Sequence, residues 1–314
     1  MSQSSPSPDG GACDLESGIC TIPGEDAALP QAVATPPGPK ADRTRITYVT
    51  DPICSACWIL EPAWRSLTQR YRDLIEVQHI YGGLLRGWRG FHDVGNGIRR
   101  PKDVAHHWDE FAERSGQPIN SSVWLSDPID SSYPPSIALA AVRLLAPEAE
   151  DAFLRRIREE LFLNGRNIAR PDVLEALVTE LGLAVAPYRQ LVENGTAQAE
   201  FERDLVRTRE VGARGFPTLI LEGPDGRITL HGWLGPDRLE EAFLSVSGAT
   251  RRSPVASISE AMDRLSTGTS LEYAALTGQS VVVVEQLLTE AGAELHAAGH
   301  GKVWSPRSRV QEQA

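Results

Sequence analysis

The chain has 314 residues, of which 41% are hydrophobic and 23% charged, and its formal net charge is −11. That length accommodates about two domains of ~150 residues, and the composition suits a globular protein with a sizeable core. The acidic balance argues against nucleic acid or an anionic membrane as the main partner, since both reward clustered Lys and Arg, and no run approaches the ~20 apolar residues of a membrane span.

The N-terminus, "MSQSSPSPDGG", lacks the basic start, apolar run and small-residue cleavage site of an export signal. The expected compartment is therefore the cytoplasm, where a C-x-x-C is more often catalytic or metal-binding than a permanent staple. Residues 1–44 hold no aromatic residue but 7 Pro and 5 Gly. Such a stretch buries too little apolar surface to order itself, so it reads as a disordered leader. Cys13 and Cys20 lie in it, within "CDLESGIC".

"RITYVT" (45–50) reads as a short strand, with Ile46, Tyr48 and Val49 supplying β-branched and aromatic residues. After Cys54 the period changes: Cys57, Leu60, Trp64, Leu67 and Tyr71 recur every three or four residues and form one helical face. Pro62 falls inside that helix and should kink it. "LIEVQHIYGG" (74–83) reads as a second strand. Residues from about 101 to 212 read mainly as helices, among them "PPSIALAAVRLLAP", "PEAEDAFLRRIREELFL" and "RPDVLEALVTELGL". "PTLIL" (217–221) and "RITLHG" (227–232) then flank the turn-rich "EGPDG", and "GPDRLEEAFLSV" is a closing helix. Strand, helix, strand, helical block, strand, strand, helix is the order of a thioredoxin-type α/β sheet with an all-helical insertion.

Residues 248–257 read as a linker and 258–314 as a small C-terminal α(+β) module with a winged-helix character. From 257 to 314 there are 4 Lys and Arg against 7 Asp and Glu, so the module lacks the basic face of a DNA reader. Docking or oligomerisation is the expectation for it.

The chemistry concentrates in "DPICSACW" (51–58). A cysteine at a helix start meets unpaired N–H groups and the positive end of the helix dipole, which favour its thiolate. Cys54 is placed for this, and Cys57, one turn on, can resolve a mixed disulfide formed there. Zinc uses the same spacing but needs a second pair or a Cys/His set, and the other two cysteines lie in the leader. No metal site is assigned, zinc on all four cysteines remaining the alternative. "GARGFPTLIL" adds Pro217 before a strand; a cis bond there would leave the backbone of Phe216 to pair with a bound peptide.

"DPICSACWILEP", "SSYPPSIALAA", "FLRRIREELFLNGRNI" and "GFPTLIL" together resemble the DsbA-like thioredoxin superfamily, in its YjbH/FrnE-type cytoplasmic branch, over roughly residues 45–247. The resemblance implies a thiol–disulfide oxidoreductase acting on protein or peptide thiols, with a redox-active Cys54–Cys57 disulfide, a cis-proline at Pro217, no organic cofactor and an unidentified electron partner. Some YjbH-type members instead act as ClpXP protease adaptors that bind a regulator protein, which is the alternative. The dipeptide between the cysteines, Ser55-Ala56, is neither the Gly-Pro of thioredoxin nor the Pro-His of DsbA.

Other candidates are weaker. Asp51 either tunes Cys54 and the helix start or is a strand-end turn residue. Trp58 either shields the cysteine pair on the substrate side or packs in the core. Cys13 and Cys20 are a second redox pair, part of a metal site or two unremarkable thiols. His106 and His107 point about 100° apart on a helix and rarely share a metal. Trp88, Phe91, Trp108 and Trp124 line a peptide groove or, more simply, pack inside.

Overall fold

A computed structural model describes residues 13–14, 18–21, 43–89, 91, 93 and 96–306. Two short strands, β1 (Cys13–Asp14) and β2 (Ile19–Thr21), lie within the stretch expected as a leader; the rest of 1–42 falls outside the described residues. Then come β3 (Thr44–Thr50), α1 (Ser55–Ile59), α2 (Glu61–Arg70) and β4 (Ile75–Tyr81). The expected single helix after Cys54 is thus two, and Pro62 is the reason. It sits in the first turn of α2, where its missing N–H costs nothing, and the helices meet at Leu60.

A helical block follows: α3 (Asp103–Ser115), α4 (Val123–Ser126), α5 (Tyr133–Leu145), α6 (Glu150–Phe162), α7 (Pro171–Glu180), α8 (Val185–Glu193) and α9 (Thr196–Glu210). The chain then returns through β5 (Gly215–Phe216), β6 (Thr218–Gly223), β7 (Gly226–His231) and α10 (Pro236–Ser247). The main sheet has the order β4-β3-β6-β7, with β3 parallel to β4 and antiparallel to β6. This is a mixed α/β thioredoxin-like core with extensive helical insertions.

Alternation along β3 divides the core. Ile46 and Tyr48 pack with Trp64 and Leu67 of α2 and Leu239 and Phe243 of α10. Val49 faces the other way, into a larger apolar mass shared by the cysteine pair and the inserted helices. The site at the end of β3 is therefore roofed by the insertion.

Beyond α10 lie α11 (Ile258–Leu265), β8 (Gly268–Thr269), α12 (Ser270–Thr277), α13 (Val281–Glu290), β9 (Glu294–Ala298) and β10 (Gly301–Ser305), with a small sheet of order β8-β10-β9. Gly278 ends α12 in a left-handed conformation at φ +67°, so the apolar run from Val281 starts a new helix rather than a strand. This unit has its own apolar cluster, including Met262, Tyr273, Leu276 and Trp304.

The unit is anchored by Glu272, which is fully buried. It completes a capping box with Thr269 and accepts hydrogen bonds from Arg65 (2.8 Å) and Arg155 (2.6 Å). One carboxylate so joins α2, α6 and α12, and the two guanidinium groups hold its pKa below the usual range against the burial that would raise it.

Candidate functional site

Cys54 caps α1, with its sulfur accepting the Cys57 N–H at 3.2 Å. Cys54 and Cys57 are both free thiols and both fully buried. This corrects two expectations. The pair does not form the redox-active disulfide expected of it. Nor is Cys54 the acidified sulfur: burial pushes its pKa well up, and the Cys57 N–H offsets only part of that. For Cys57 burial also raises the pKa, but the Cys54 hydrogen bond and the nearby Arg158 guanidinium outweigh it, and the net direction is down.

Arg158 is the residue that sequence reasoning missed. It is only 1% exposed, donates to Glu61 Oε1 at 2.6 Å and to Thr50 Oγ1 at 2.5 Å, and lies 5.7 Å from the Tyr48 ring centroid. A signal was present. Arg158 falls on the helical face of Leu154, Ile157 and Leu161, where an arginine has to be buried.

Asp51 is a junction rather than a simple turn residue. Its carboxylate accepts from the N–H of Ile53 (3.0 Å), the N–H of Leu84 (2.7 Å) and the hydroxyl of Ser132 (2.9 Å). It thereby ties the start of α1 to the loop after β4 and to α5. Burial pushes its pKa up to about 6 although all three hydrogen bonds pull the other way.

Trp58 is fully buried, donates its indole N–H to Pro118 O at 2.8 Å and stacks on Phe162 at 5.3 Å, so it faces the insertion. Phe216 is fully buried too, and the Phe216–Pro217 bond is cis. Trp88, Phe91, Trp108 and Trp124 line one apolar cavity with Ile53 and Ser55, next to the start of α1. They meet edge-on at 5.3–6.0 Å, the preferred aromatic packing. His107 is buried in that wall, and burial lowers its pKa to about 4, whereas His106 is exposed beside Glu110. The two histidines do diverge.

The zinc alternative fails as well: among the described residues no group of three or more His, Cys, Asp or Glu is placed to hold a metal ion. Likewise, no helix among them is long and apolar enough to cross a membrane.

Residues 48–225, from the middle of β3 through the insertion to the β6–β7 turn, match the family model described as thioredoxin. The chain belongs to the thioredoxin family. Its fold resembles a candidate protein disulfide isomerase from Nitrosomonas europaea (22% identity, 64% of this chain and 95% of that one, TM-score 0.54). It also resembles a candidate DsbA oxidoreductase from Streptomyces coelicolor (17% identity, 68% and 94%, TM-score 0.52). In sequence it is similar to the ClpXP adapter protein SpxH of Halalkalibacterium halodurans, 32% identical over 66% of each chain. SpxH of Shouchella clausii is 29% identical over 75% of this chain and 70% of its own length, and that of Bacillus subtilis 26% over 65% and 67%. The chain thus spans about two thirds of the length of these relatives.

These relatives overturn the expectation of a dedicated thiol–disulfide oxidoreductase. The sequence similarity, at 32%, 29% and 26% identity, is to proteins described as ClpXP adapters.

Proposed function

We propose that this chain is a ClpXP-type adaptor, which binds a regulator protein and delivers it for proteolysis. The observation that carries the reading is the 32% identity to SpxH over 208 residues, 66% of each chain. The geometry is compatible: both sulfurs of the C-x-x-C are fully buried, which suits a packed framework better than an exposed nucleophile.

Partner recognition is assigned to the edge at Phe216 and Pro217, and the site of action to the cytoplasm, where a ClpXP substrate would be met. Residues 45–247 form the partner-binding domain, 248–257 a linker and 258–314 a winged-helix-like docking module. The helix–strand–helix–helix–strand–strand order supports that last assignment, and its acidic balance disfavours nucleic acid.

The test is affinity capture with the immobilised full chain, followed by degradation of each captured protein by purified ClpX and ClpP. At least one captured protein should be degraded about tenfold faster when the chain is added. Should no captured protein change its lifetime, the adaptor reading is wrong.

A further inference from the structure

The edge assigned to partner recognition is already occupied by this chain. β2 lies antiparallel on β5, with Cys20 opposite Phe216 and Thr21 opposite Gly215. The backbone N–H of Trp233 donates to Gly18 O at 3.1 Å, extending the hold by one residue. Ile19 and Cys20 are buried, and Cys20 packs in the same apolar cluster as Cys54, Cys57 and Phe216.

The seat is made for glycine on both sides. Gly18 has φ +65°, and a Cβ there would lie 1.8 Å from Trp233 Cδ1. A Cβ on Gly215 would lie 2.4 Å from Ile19 Cγ2 and 2.8 Å from Cys20 O. Only a close-fitting, specific segment meets such terms.

Yet β2 has three residues and β5 has two, so few ladder hydrogen bonds hold the contact. Cys20 supplies the missing constraint. It is disulfide-bonded, and its cross-strand neighbour in β1 is Cys13. A covalent cross-link removes chain entropy that would otherwise pull so small a strand away.

We propose that β2 is a displaceable plug on the Gly215–Phe216 edge, held in place by the Cys20 disulfide and released when a thiol reductant cleaves it. In that step the S–S bond of Cys20 breaks, its two sulfurs become thiols, and two reductant thiols are oxidised to one disulfide. The freed edge then accepts an extended segment of a partner protein by the antiparallel pairing that β2 now makes. What the edge receives rests on the adaptor reading; the movement of the plug does not.

Hydrogen exchange of the Trp233 amide, measured by NMR on the full chain, reports the plug directly because its acceptor is Gly18 O. The amide is expected to exchange at least about tenfold faster after dithiothreitol treatment. Cys20→Ser should show the fast rate without reductant, and Gly18→Ala should show it under both conditions. A Cys54→Ala/Cys57→Ala background, in which only the leader cysteines remain, should respond to reductant as the wild type does. An unchanged Trp233 rate in reduced protein and in both variants overturns the proposal. So does an equal acceleration of the β3 and β6 amides, which would mean the core opens rather than the plug. A captured regulator should bind Gly18→Ala about tenfold more tightly than oxidised wild type. Equal binding, with the plug shown to move, would overturn the edge as its receptor while leaving the adaptor reading intact.

Discussion

At Cys54 two effects oppose each other. The start of a helix favours a thiolate, whereas complete burial disfavours it, and burial wins. The spacing in "CSAC" showed the first effect, but nothing in it showed the depth of the site. Arg158 was hidden for a related reason: an arginine is by default a surface residue, and only its place on an apolar face marks it as interior. Replacing it by Met should cost about 3–5 kcal/mol, the usual penalty for leaving a buried partner, here Glu61, short of its counter-charge. The same change should raise the Cys57 pKa, read from thiolate absorbance during a pH titration. Asp51 sets a pH dependence. Its folded pKa of about 6 exceeds the ordinary 3.8, so it contributes stability fully at low pH and loses that contribution as pH rises through about 6. Urea denaturation of wild type and Asp51→Asn between pH 4 and 7.5 should show wild type losing about 2.5 kcal/mol relative to the variant, on the scale of 1.4 kcal/mol per pKa unit. A parallel pair of curves would place the carboxyl at its ordinary pKa.

Elements with clear periodicity were legible. The strands at 44–50 and 75–81, the hairpin of β6 and β7 and the closing helix were all readable from alternation, turn residues and the three-to-four spacing. The position of Pro62 was read correctly as an interruption, but a kink and a break differ only in where the helix restarts. β2 was not legible, because three residues carry no period and composition alone assigned their surroundings to a leader. α12 is held by a tertiary contact that sequence spacing could not reveal. Glu272→Ala should remove its capping box and strip a partner from both Arg65 and Arg155. A loss of about 3 kcal/mol is expected from these terms together. Thermal unfolding with protease probing of residues 258–314 checks this, and an unchanged midpoint would show that the anchor contributes little.

Over the whole molecule, the order of strands and helices and four short motifs were enough to place the chain in its family. They were not enough to separate an enzyme from an adaptor, since the resemblance they carry implies one framework for both uses. The similarity to SpxH is what the adaptor proposal rests on, and the buried thiols accord with it. On this account the cysteine pair serves packing, and partner delivery should not depend on its sulfurs. The direct measurement is the rate at which ClpX and ClpP degrade the captured regulator in the presence of wild type or of Cys54→Ala/Cys57→Ala. The account predicts that the double variant retains the acceleration within about twofold. Loss of acceleration in a variant that is still folded, together with thiol-dependent disulfide reduction by the wild type, would contradict it.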